Sequence, residues 1–191
     1  GNNGFETDGE KGDTSAEAPV TNPTISNVTI ITTDANSVRD DDPSQAFTFD
    51  DSIKSMYKNV LIVKEVGANS SCVKHKADGE KNADAITFSG SVMACASEFE
   101  GEATFGASAP AALQGTAKTV WFDNGGVNQR IAASSDVLAA DGFATNTSST
   151  AITVAADATG AANFIGAVSD QDTTSNWYKW VEMAVTGGSN D

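Results

Sequence analysis

Short apolar runs of four to seven residues, set between polar and turn-forming stretches, recur along this chain at a fixed distance. Ile25-Ser26-Asn27-Val28-Thr29-Ile30-Ile31, Tyr57-Lys58-Asn59-Val60-Leu61-Ile62-Val63 and Ser89-Gly90-Ser91-Val92-Met93-Ala94-Cys95 are offset by 32 residues. Superposed, they place Asn27, Asn59 and Ser91 in one column and Val28, Val60 and Val92 in the next. Such a period, with a small polar residue before an inward valine, predicts coils that stack, because no coil can satisfy its own backbone groups alone. The spacing predicts strands over 24–32, 56–66 and 85–95. In the second of these, Val60 and Ile62 fall on one face and Leu61 and Val63 on the other, so this strand is expected to be buried on both faces. Phe47-Thr48-Phe49 reads as a brief strand, and Asn or Ser at the repeated bend is expected to hydrogen-bond along the stack.

After Cys95 the pattern loosens. Thr119-Val120-Trp121-Phe122 and Ala151-Ile152-Thr153-Val154 are the best later strand candidates. Helical periodicity is weak, and Pro110 limits any helix in the alanine-rich 107–112 stretch. The fold class is therefore all-β: a parallel β-helix over residues 1–100, with an acidic leading loop, and the last coils and an irregular C-terminal capping region over 101–191. An antiparallel sandwich, which also uses many short strands, is the alternative.

Composition changes the picture in two ways. The formal charge of −15, from 26 acids and 11 bases, repels phosphate backbones and anionic lipid. Nucleic acid and membrane surfaces are thus poor partners, while divalent cations suit such a surface. No run of about 18 apolar residues is present to span a bilayer. Cys72 and Cys95 are the only cysteines. In a Ser/Thr/Asn-rich acidic chain they read as a disulfide formed outside the cytoplasm, worth about 3 kcal/mol of loop-closure entropy. Two buried free thiols are the other reading.

The run Asn3-Gly4-Phe5-Glu6-Thr7-Asp8, followed by Asn22-Pro23-Thr24-Ile25-Ser26-Asn27-Val28-Thr29-Ile30, resembles a segment of a family of large secreted or outer-membrane-associated right-handed parallel β-helix proteins. These belong to the pectate-lyase-like superfold of marine Gram-negative bacteria. Phe164-Ile165-Gly166-Ala167-Val168 and Trp177-Tyr178-Lys179-Trp180 fit the family's closing element, although small residues are expected in place of Tyr178-Lys179. The resemblance implies a right-handed solenoid, an extracellular or outer-membrane-surface location, and a chain matching the C-terminal part of such a protein.

Candidate chemistry is thin. Ca²⁺ takes six to eight hard oxygens, and three acidic sets offer them: Asp8, Glu10 and Asp13; Asp40, Asp41 and Asp42; and Asp78, Glu80 and Asp84. None follows the EF-hand spacing. A polysaccharide lyase needs a basic group beside a charge-stabilising cation site, and Arg39 next to Asp40–Asp42 is the one local match. His75, between Lys74 and Lys76, reads as a solvated strand-end histidine. Trp177 and Trp180 are expected to cover the last coil, with a sugar-stacking platform as their functional alternative. No catalytic set emerges. The expected function is an extracellular structural or binding solenoid, a surface-fibre or filament subunit that pairs through the open edge of its first coil near Phe5–Thr7 and is stabilised by Ca²⁺. A polysaccharide-binding or lyase-type protein is the competing class.

Overall fold

The structure, a computed structural model, describes residues 4–8, 22–32, 45–51, 53–64, 71–76, 78–132, 134–140 and 142–169. Its strands are β1 (Phe5–Asp8), β2 (Thr24–Ser26), β3 (Thr29–Thr32), β4 (Phe47–Asp50), β5 (Ser55–Lys58), β6 (Leu61–Lys64), β7 (Val73–His75), β8 (Ile86–Ser89), β9 (Val92–Ala94) and β10 (Gln129–Ile131). They form three sheets, all parallel. Sheet A is β1-β4-β7, sheet B is β2-β5-β8, and sheet C is β3-β6-β9-β10. Each coil visits the three sheets in turn, which makes the fold a β-solenoid.

The expected long strands are each broken by a corner. Asn27 and Asn59 both adopt φ of 55°, and Gly90 adopts 61°, so the chain turns sharply between sheets B and C in every coil. Asparagine and glycine are the residues that tolerate this left-handed conformation. The corners correct the column drawn from the sequence. Leu61 pairs with Val92, 31 residues on rather than 32, so Gly90 follows Asn27 and Asn59, and Ser91 takes the place of Val60. The period is also not uniform around the coil. Sheet A steps by 42 residues from Phe5 to Phe47, then by 26 to Val73. The 32-residue repeat belongs to sheets B and C, and loops of unequal length absorb the rest.

The core is aromatic. Phe5 stacks on Phe47 with ring centres 5.4 Å apart, and Tyr57 on Phe88 at 4.9 Å. Ile30, Ile62 and Met93, paired in register, line the sheet C wall of the same core. Cys72 precedes β7 and Cys95 follows β9, and their disulfide, with Cα atoms 6.3 Å apart, closes the third coil. Sheet C is buried on both faces, as its alternation requires. Leu61, Val63, Val92 and Ala94 point outward and are covered by Val137, Ile152, Val154 and Ile165. Burying each larger side chain of this second layer contributes up to about 1.5–3 kcal/mol.

Two later strand assignments fail. Thr119–Phe122 lies in a short helix, α1 (Lys118–Asp123), with Lys118 and Phe122 on one buried face and Val120 exposed. Phe122 packs on Phe88 with ring centres 5.2 Å apart; tertiary packing here overrides the β preference of Thr-Val-Trp-Phe. Residues 151–154 run without a strand ladder, held by Gln129, whose side chain donates to the Ala151 carbonyl and accepts from the Thr153 N–H.

Candidate functional site: the two ends of the solenoid

The N-terminal end is formed by β1, β2 and β3, each the first strand of its sheet. Among the described residues, nothing pairs with their outer edges. In parallel ladders the backbone groups alternate sides. Asn27 donates to the Lys58 carbonyl and the Leu61 N–H donates to the Val28 carbonyl, so the N–H groups of Ser26 and Ile31 face the open side. Phe5, Ile25 and Val28 are only partly covered there.

The C-terminal end is closed. Phe99 bridges Val73 at the end of sheet A, α1 lies against Phe88 at the end of sheet B, and β10 ends sheet C. Asn128, almost fully buried, donates to the Phe88 and Phe122 carbonyls and accepts from the Ser91 N–H. It thereby satisfies backbone groups that a further coil would otherwise bond. Arg130 pairs with Met93 in register, so the inward column Ile30–Ile62–Met93 terminates in a guanidinium. Glu98 holds its Nη1 at 3.0 Å, and Asp123 holds Nε at 2.9 Å and Nη2 at 3.1 Å. A cleft of about 760 Å³ opens beside this trio, lined also by Cys95, Gln129 and Ala132. Comparison with known protein families, with curated proteins and with solved structures returns no match. The two ends are therefore read from their own chemistry.

His75 corrects its sequence reading. It is buried, with its ring centre 5.1 Å from Phe49, 5.3 Å from Phe105 and 4.9 Å from Trp121. Burial, and then the charge of Lys118, push its pKa down to about 3. The local reason is register: His75 pairs with Phe49 and so shares its inward face. Lys118 is itself buried, 3.1 Å from Glu80 and 5.6 Å from the centre of the Phe105 ring. Trp121 anchors the same end by donating to the Ala83 carbonyl at 2.9 Å.

The acidic sets separate. Asp78 pairs with Lys81 at 3.0 Å and Glu80 with Lys118, so protein cations already occupy two members of the third set. Asp8 is described; burial, and then Glu6 and Asp50, raise its pKa. The cation these acids gather is Lys76, 2.8 Å from Asp50 and 3.8 Å from Glu6. No group of three metal-capable side chains stands together among the described residues. Glu10, Asp13, Arg39, Asp40, Asp41, Asp42, Trp177 and Trp180 lie outside the described residues.

Sequence reasoning missed the Arg130 trio and the fastening of the C-terminal segment. Asn27 and Asn59 do not bond to each other along the stack. Both reach instead to residues 157–166. Asn59 donates to the Asp157 and Ala162 carbonyls at 3.0 and 2.9 Å and accepts from the Asp157 N–H at 2.6 Å. Asn27 accepts from the Ala162 N–H at 2.8 Å and donates to the Phe164 carbonyl at 2.6 Å. The repeated asparagine was the available signal; its partners, about 100–140 residues away, were not.

Proposed function

We propose that this chain is an extracellular structural β-solenoid whose N-terminal edge pairs with a neighbouring subunit by strand addition. The observation that carries the reading is the alignment of three first strands, β1, β2 and β3, at one end with their outer edges open among the described residues. Such an edge is a template for further strands. The Cys72–Cys95 disulfide is in keeping with an oxidising, non-cytoplasmic location. No helix among the described residues is long and apolar enough to cross a membrane. The finer expectations belong to the same proposal: a right-handed coil, likeness to secreted or outer-membrane-associated β-helix proteins, and Ca²⁺ held by acidic loops.

Light scattering over a concentration series tests the reading. Wild-type protein is expected to associate, and a Ser26→Pro/Ile31→Pro variant to stay single with an unchanged far-UV spectrum. These two N–H groups face away from the ladder, so proline blocks the edge without removing an internal bond. A wild-type particle that remains single at every concentration would sink the proposal.

A further inference from the structure

Resting on that edge-pairing reading, we infer that Arg130, Glu98 and Asp123 form a polar stop at the C-terminal end. The partner met at the N-terminal edge is then the N-terminal edge of a second copy, and assembly ends at two.

The case begins with the inward column of sheet C. Ile30, Ile62 and Met93 are core residues, and the next residue in register is Arg130. A further strand on β10 would lie about 4.8 Å away and cover the trio. One guanidinium and two carboxylates sum to −1, so the new coil would have to remove water from a set of charges that does not balance. Glu98 and Asp123 remain about a quarter to a third exposed, which shows that water still reaches them. The other two sheets offer no alternative seat. α1 packs on Phe88 where a fourth strand of sheet B would lie, and Asn128 has taken the carbonyls there.

The first coil is the opposite in character. β2 (Thr24–Ser26) and β3 (Thr29–Thr32) carry no charged residue, and the two acids of the coil's strands, Glu6 and Asp8, sit on β1. Two such edges meet without placing like charges on each other in sheets B and C, despite the net −15. A two-fold axis through sheet B brings β2 against its own copy. That axis reverses strand direction, so the joining ladder is antiparallel. The interface is isologous and closes.

Mass measurements on three proteins, with cysteine trapping, test the inference. The wild type is expected to reach two copies and no more, and the Ser26→Pro/Ile31→Pro variant to remain single. An Arg130→Met/Glu98→Gln/Asp123→Asn variant, freed of its stop, is expected to form longer assemblies. Trapping does not depend on that variant folding. Thr24→Cys protein should form a covalent pair through identical cysteines, whereas Thr24→Cys mixed with Ala132→Cys should give no mixed pair. Wild-type chains of three or more copies that vanish in the edge-blocked variant, or a mixed Thr24–Ala132 pair, would overturn the stop and leave edge pairing intact. A folded stop-free variant that halts at two copies would overturn the role of the trio. A wild type that is always single would remove the edge-pairing reading itself.

Discussion

His75 is held neutral among Phe49, Phe105 and Trp121, with the Lys118 cation nearby and Glu80 paired to that cation. Its folded pKa of about 3 lies below the ordinary value of 6.5. As pH falls below 6.5 the unfolded chain takes up a proton that the folded chain refuses until about pH 3. Stability therefore declines across that window as pH falls, and levels off below it. The full shift corresponds to a loss on the order of 4 kcal/mol. Urea midpoints of wild type and His75→Leu at several values between pH 7 and 3.5 check this. The variant should lose less stability on acidification, and parallel curves for the two proteins would refute the assignment. A histidine between two lysines in sequence suggests a wet position. Only the pairing of His75 with Phe49 shows that it faces the core.

Asn27, Asn59 and Gly90 hold the solenoid at the level of its elements, because each turns the chain left-handed between sheets B and C. The corner also exposes the asparagine amides to the segment at 157–166, which covers sheet C. At Gly90 the segment comes too close for any side chain: an added Cβ would stand 2.4 Å from the Asp157 nitrogen and 2.6 Å from Asn59 Oδ1. Asn59→Ala removes three hydrogen bonds and puts alanine in a left-handed corner, costing about 3 kcal/mol. Asn59→Gly loses the same bonds but relieves the corner, so it should cost about 1 kcal/mol less. Equilibrium urea unfolding measures both. Equal losses in the two variants would show that the corner geometry is not strained. Much of this scale was legible beforehand. The alternation of Val60, Leu61, Ile62 and Val63 correctly assigned two buried faces, and the repeated asparagines marked the bends. The one-residue slip at Gly90 was not legible, because valine at 92 matches the column as well on either count. The Arg130 trio was hidden for a related reason. Glu98 and Asp123 lie 32 and 7 residues away from Arg130 in sequence, and only strand register brings them together over Met93.

For the molecule as a whole, the stack is bounded by one open apolar edge and one closed polar end, on a chain with 26 acids and 11 bases. The ion pairs among the described residues, such as Lys76–Asp50 and Lys74–Glu100, lie on partly exposed side chains, where each is worth less than about 1 kcal/mol. Salt weakens these pairs, but it also screens repulsion among the excess acids. The second effect should win, since the acids outnumber the bases by more than two to one and repulsion acts over many pairs at once. The screening length shrinks from about 30 Å at 0.01 M salt to about 10 Å at 0.1 M, roughly from the size of the whole particle to that of one coil stack. Thermal melting followed by far-UV circular dichroism should therefore move upward by several degrees between those concentrations. Edge pairing should strengthen with it, because two negatively charged bodies must approach each other. The buried contributors, the aromatic core and the disulfide, are insensitive to ionic strength. A melting temperature that is flat or falls with added salt would mean that local ion pairs, rather than the net charge, set the electrostatic stability of the solenoid.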